Sequence, residues 1–188
     1  MKTYISLLRG INVSGQNKIR MPDLKRIYES INLEKVGIYI QSGNVVFDCQ
    51  EQDQVILARN IETGIFQTLG ITVRVLLHDK QYFFRIKGNN PFLIHRNENP
   101  GKLHVTFLSD IPEKSLLNNL LSYEENRRLD KGSVDEFAII GSEIYLFCPN
   151  GYGKTRFSNT FFERKLNVSA TTRNWKTVNA LCEILDER

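Results

Sequence analysis

Residues 36–48 read Val36-Gly37-Ile38-Tyr39-Ile40-Gln41-Ser42-Gly43-Asn44-Val45-Val46-Phe47-Asp48. Two runs rich in β-branched and aromatic residues, 36–41 and 45–48, flank Ser42-Gly43-Asn44. This is a β-hairpin signature, because glycine and asparagine adopt the backbone angles that a tight turn needs. Working outward, residues 22–31 read as a helix with Pro22 in its first turn and Leu24, Ile27, Tyr28 and Ile31 on one face. Residues 52–68 read as a second helix through Val55, Ile56, Ala58, Ile61, Ile65 and Phe66, stopped by Gly70. Residues 3–8 and 71–78 supply two further strands. The order is β-α-β-β-α-β.

The same order recurs downstream. Residues 136–140 and 143–148 form a second hairpin around Gly141-Ser142. A strand at 103–108 and a helix at 112–121, with Leu116, Leu117, Leu120 and Leu121 inward, precede it. A helix at 156–166 and a short strand at 168–170 follow it, and a last helix spans 173–185 with Trp175, Val178, Leu181, Cys182 and Leu185 on its apolar face. The expected fold is α+β: two tandem ferredoxin-like subdomains with antiparallel sheets, plus a C-terminal helix. The expected boundaries are 1–78 and 103–188. Residues 79–102 form a connector with a short helix at 79–86 and the linker-like run Lys87-Gly88-Asn89-Asn90-Pro91.

The chain's 188 residues are 41% hydrophobic and 24% charged, an ordinary composition for a soluble globular protein. Its longest apolar runs are strand-sized, too short to span a membrane. The first residues lack the apolar length and cleavage site of a signal peptide, so a cytoplasmic location is expected. Cys49, Cys148 and Cys182 are widely spaced and read as buried, reduced thiols. His78, His95 and His104 show no ligand spacing. Neither a metal nor another cofactor is expected.

The net charge is a mild +4, but it is unevenly spread. Residues 150–178 hold six Lys or Arg (Lys154, Arg156, Arg164, Lys165, Arg173, Lys176) against the single acid Glu163. Three polar segments combine Gly, Asn or a small hydroxyl residue with Arg and Lys. They are the long loop after the first strand, Leu8-Arg9-Gly10-Ile11-Asn12-Val13-Ser14-Gly15-Gln16-Asn17-Lys18-Ile19-Arg20, then Asn150–Arg156, then Thr171–Lys176. The long loop reads as having almost nothing to bury. Free backbone N–H groups beside cationic side chains are what an anion requires. A solvated basic face is the plainer alternative.

Cys148-Pro149-Asn150-Gly151-Tyr152-Gly153-Lys154-Thr155 ends like a P-loop, G-x-x-x-x-G-K-[ST], yet Cys148 stands at the first glycine and Pro149 removes a donor. A simpler anion site from Lys154, Arg156 and the start of the next helix fits better. Either Thr171 or Thr172 is expected to cap the last helix. Trp175 reads as core. Ser42 is better explained by turn chemistry than as a nucleophile, since no G-x-S-x-G elbow surrounds it. Glu124-Glu125 reads as a solvated pair in a loop. Aromatic and basic residues interleave at 82–85 and 156–164, which would suit base stacking, although no RNP1 pattern occurs.

The segments Leu8–Gly15, Met21, Tyr39–Val45 and Ala170–Val178 together resemble the bacterial domain-of-unknown-function family numbered 1697. The resemblance implies two ferredoxin-like subdomains and supplies no activity. The residues therefore support a cytosolic protein that binds a phosphate-bearing or other anionic small molecule through Arg9, Gly10, Asn12, Ser42, Asn44, Lys154, Arg156, Arg173 and Asn174. A nucleic-acid-binding module is the alternative reading. An enzyme acting on a nucleotide-like substrate ranks last, for want of a convincing base or nucleophile. The same polar loops could equally serve as an internal clasp of hydrogen bonds. No membrane partner is expected.

Overall fold

A computed structural model of the chain describes residues 1–188 except 14, 16, 52, 132 and 133, and describes residues 127–131 by backbone alone. Ser14 and Gln16 of the long loop, and Gln52 at the expected start of the second helix, lie outside the described residues. The chain forms two compact units, Met1–Lys87 with Ala180–Arg188, and Gly88–Asn179.

The first unit contains β1 (Lys2–Leu8), α1 (Met21–Ser30), β2 (Glu34–Tyr39), β3 (Asn44–Cys49), α2 (Gln54–Leu69) and β4 (Val75–Asp79), and α3 (Lys80–Gly88) follows them. Its sheet runs β2-β3-β1-β4 with every pair antiparallel, and Ser6 of β1 stands opposite both Val45 and Leu77. Burial follows the predicted periodicity. Leu24, Ile27 and Tyr28 of α1 pack with Ile61 and Ile65 of α2 over Tyr4, Leu8, Val45 and Phe47. Tyr28 also hydrogen-bonds Ser6 at 2.8 Å inside this core. That bond satisfies the one polar atom of an otherwise apolar anchor. Helix α2 starts where the Asp53 side chain accepts the N–H groups of Val55 and Ile56, and ends at left-handed Gly70.

The carboxylate of Asp48 accepts from Thr3 Oγ1 at 2.7 Å and pairs with Lys35 at 2.9 Å and Arg188 at 3.8 Å. Burial by itself would raise its pKa; the bonds from Lys35 and Thr3 outweigh that and hold it below the ordinary value. Arg188 therefore ties the chain's last residues to the first sheet, and the Cys182 thiol reaches the Phe83 carbonyl at 3.6 Å. These contacts explain why Ala180–Arg188 group with the first unit, whereas the sequence placed all of 103–188 in the second half.

The second unit contains α4 (Pro91–Ile94), β5 (Leu103–Leu108), α5 (Lys114–Lys131), β6 (Glu136–Ile140), β7 (Glu143–Phe147), α6 (Asn159–Leu166) and β8 (Ala170–Asn174). Helix α7 (Trp175–Asp186) begins in this unit. The sheet order is β6-β7-β5-β8, again antiparallel throughout. The mixed α+β class and the paired four-stranded antiparallel sheets match the expectation. Phe157 and Phe162 fill the core, each edge-on to Phe137 at 5.0 and 5.7 Å.

Several element boundaries differ from the sequence reading: β4 begins at Val75 and not at residue 71, and three further differences bear on the polar segments. Helix α5 continues to Lys131, so Glu124 lies within a helix and is buried. Helix α6 starts at Asn159, because the Ser158 side chain caps it by accepting the Phe161 N–H. Thr171, Thr172 and Arg173 belong to β8, paired with Phe107, Thr106 and Val105. Their β-branched side chains suit a strand. The cap of α7 is Asn174, whose Oδ1 accepts the Thr177 N–H at 2.7 Å. Among the described residues no helix is long and apolar enough to cross a membrane.

Candidate functional site

In the first unit, the long loop closes on itself. Gly10, Asn12, Gly15 and Asn17 all have positive φ, which coils the backbone back toward β1. Asn12 donates from Nδ2 to the carbonyls of Ile19 and Gln41, at 3.0 and 2.9 Å, and accepts the Ile19 N–H at 2.9 Å. Asn17 donates to the Gly10 carbonyl at 3.2 Å, and the Arg9 N–H to the Arg74 carbonyl at 2.9 Å. The loop also buries Ile11 and Ile19, contrary to the expectation that it buries almost nothing. Asn44 is fully buried and donates to the Tyr39 carbonyl and to Ser42 Oγ, both at 3.0 Å. So Asn12 brings the loop to the turn that holds Ser42 and Asn44, and both asparagine amides are spent on the fold. A cleft of about 380 Å3 beside the loop has Lys18 and Arg20 as its charged walls, with Arg20 at 4.0 Å from Asp23.

In the second unit, the P-loop-like run spends its donors internally. The N–H groups of Gly151, Lys154 and Thr155 bond the carbonyls of Cys148, Gly151 and Tyr152, forming a tight turn that runs into a short 3-10 turn. Thr155 Oγ1 accepts the Phe157 N–H at 3.2 Å. Lys154 is exposed on that turn and is not at the start of α6. Arg173 is buried; its Nη1 donates to Thr171 Oγ1 at 2.7 Å and to the Thr172 carbonyl at 3.0 Å. Burial pushes its pKa down to about 10, opposed by the nearby Tyr152. Tyr152 stacks on His104 at 4.8 Å. Asn174 caps α7. Thr172, Thr106 and Asn159 form a hydroxyl-amide chain with links of 2.7 and 2.6 Å.

Arg156 stands differently. It lines a cleft of about 470 Å3 with Tyr123, Ser158, Thr160, Phe161, Arg164 and Lys165. Helices α5 and α6 and the residues just before α6 supply these walls. The Arg156 guanidinium lies 5.6, 4.8 and 5.5 Å from the ring centres of Tyr123, Phe157 and Phe161, and Lys165 Nζ sits 4.0 Å over Tyr123. Aromatic faces hold both cations by their ring quadrupoles. Arg156 Nη2 also donates to the buried carboxylate of Glu124. The nearest acid in sequence, Glu163, is turned to β8, where its Oε1 accepts the Ala170 N–H. The cleft thus combines three cations, two aliphatic hydroxyls and two aromatic rings within a volume suited to a small molecule.

Of the nine residues singled out from sequence, Arg156 lines this cleft. Arg164 and Lys165 stand out in the sequence as charge and Phe161 as an interleaved ring, whereas Tyr123, Ser158 and Thr160 do not. Their signal was weak because Tyr123 lies beyond the expected end of its helix. Glu124, read as solvated, is instead the buried partner of Arg156, which the longer α5 brings to it.

The model of a family described as a protein of unknown function, DUF1697, matches residues 1–145. A solved structure of a conserved bacterial protein from Streptococcus pneumoniae superposes with a TM-score of 0.71 at 24% identity, covering 98% of each chain. That likeness shows a shared fold. No curated protein matches the chain.

Proposed function

The chain belongs to the DUF1697 family, and we propose that it binds a small phosphate-bearing or similar anionic molecule in the cleft between α5 and α6. The observation that carries this reading is the set Arg156, Arg164 and Lys165 around one small-molecule-sized cleft, balanced by the single paired carboxylate of Glu124. Two positive charges are left over, the complement of a phosphate monoester near neutral pH. Ser158 and Thr160 add hydroxyl donors for its oxygens. Tyr123 and Phe161 offer apolar area for the remainder of the molecule. The other residues chosen from sequence are not needed at this cleft, and among the described residues Lys18 and Arg20 are the charged walls of the smaller cleft beside the long loop.

The test is thermal stabilisation and calorimetric titration of the full chain with inorganic phosphate, pyrophosphate and a nucleoside monophosphate. Binding to the native chain should raise its unfolding midpoint. The double variant Arg164→Ala/Lys165→Ala should lose that rise while keeping its own unligated midpoint. An equal rise in the double variant sinks the reading. Tight, steeply salt-dependent binding of single-stranded oligonucleotides with no response to small phosphates would favour a nucleic-acid interface instead.

A further inference from the structure

Arg156 is held in two ways. Its guanidinium is surrounded by the rings of Tyr123, Phe157 and Phe161, and its Nη2 is engaged by the Glu124 carboxylate. Its Nε is buried without a hydrogen-bond partner among the described residues, so the fork is not saturated. The Glu124 side chain is 10% exposed and that of Arg156 24%, so the pair opens to the cleft on the arginine side. An oxyanion entering there meets a cation whose charge Glu124 already offsets. It also meets the field of Glu124 itself, in a partly desolvated place where like charges repel strongly.

We propose that Glu124 is the cleft's built-in competitor: it holds Arg156 in the ligand-free protein and sets a threshold that an incoming oxyanion must overcome. This rests on the reading of the cleft as an anion site. The consequence runs opposite to that of a purely supporting residue. Removing the charge of Glu124 tightens anion binding, because Arg156 is then free to donate its fork to the ligand. Removing a support would loosen it.

The probe is inorganic sulfate, whose charge is constant across the working pH range, titrated into the full chain at pH 7.5. Glu124→Gln should bind sulfate about tenfold more tightly than the unaltered chain, the effect of one like charge removed a few ångströms away. Glu125→Gln makes the same change of net charge at the exposed neighbouring residue and should move the affinity less than about twofold, as solvent screening requires. Unchanged or weaker binding in Glu124→Gln overturns the proposal. A second variant covers loss of folding in the first. Glu124→Gln/Arg156→Gln removes the pair together and leaves no buried charge unpaired. If Glu124 offsets Arg156, this variant binds sulfate close to the unaltered chain. A loss of tenfold or more there shows that Glu124 supports Arg156, and overturns the proposal. If the unaltered chain binds no sulfate while Glu124→Gln does, both the cleft and the competitor stand. If neither binds, the anion reading itself has failed, and the inference with it.

Discussion

The side-chain amide of Asn12 donates to the carbonyl oxygen of Gln41 at 2.9 Å, fastening the long loop after β1 to the turn between β2 and β3. The same side chain exchanges two bonds with Ile19, so Asn12 satisfies three backbone groups at two places in the chain. It does so at φ 54°, a conformation that asparagine tolerates better than most residues. Asn12→Ala should therefore lower stability by about 2–3 kcal/mol, through lost hydrogen bonds and backbone strain together. Asn12→Gly keeps the backbone conformation and loses the bonds alone, so its urea midpoint should fall between the two. Equal midpoints for Asn12→Ala and the unaltered chain would remove the loop's clasp role.

Gly43 sits in that turn at φ 75°. A Cβ there would lie 2.8 Å from Leu8 Cβ and 2.6 Å from Ile11 Cδ1. The isoleucine tip can rotate away; the leucine Cβ is fixed by its strand. Gly43→Ala is expected to cost about 2–4 kcal/mol, read from chemical denaturation, because strain and overpacking coincide.

Arg173 tests the two roles assigned to the polar segments. Its guanidinium is buried and donates within its own strand to Thr171 and Thr172. Arg173→Ala should lower the unfolding midpoint, by about 2–3 kcal/mol of stability, as buried acceptors lose a charged donor. The affinity for sulfate or phosphate at the α5–α6 cleft should stay within twofold. A selective loss of affinity at unchanged stability would make Arg173 part of a ligand site.

His78 of β4 stacks face to face on Tyr82 at 3.9 Å. Burial, aided by the charge of Arg85, pushes its pKa down from 6.5 to about 3. The unfolded chain takes up this proton below about pH 6.5, and the folded chain does not until about pH 3. Stability contributed by the neutral ring is therefore complete above the higher value and declines on acidification, by up to about 1.4 kcal/mol per pH unit. Urea midpoints at pH 7.5 and 5.0 should diverge more for the unaltered chain than for His78→Gln. Parallel slopes would show that His78 is protonated in the folded state.

Much of the architecture was legible because periodicity is local. Leu24, Ile27 and Tyr28 recur at helical spacing and are buried as a face, and the runs around Gly43 and Gly141 form antiparallel hairpins, the first with a register shift between Glu34 and Gly37. Boundaries were less legible where a cap outcompetes propensity. Ser158 starts α6 later than its apolar pattern suggests, and Asn174 starts α7 so that Thr171–Arg173 are left to β8. The candidate site was readable only in part. Arg156 stood out by charge, whereas Tyr123 and Glu124 gave no signal, since α5 runs on through a polar stretch with no clear apolar face.

The sequence by itself determined the element types, their duplicated order and the uneven distribution of charge, because each depends on residues within a few positions of one another. Tertiary structure alone decided which polar groups are spent on the fold and which line an open cleft. Asn12, Asn44 and Arg173 are hydrogen-bond donors in polar segments as Arg156 is, and a sequence cannot rank them. Folding commits the first three to backbone and neighbouring hydroxyl groups of their own unit. It sets Arg156 at the mouth of a cleft with a buried carboxylate behind it, and a cation's use depends on what surrounds it in space.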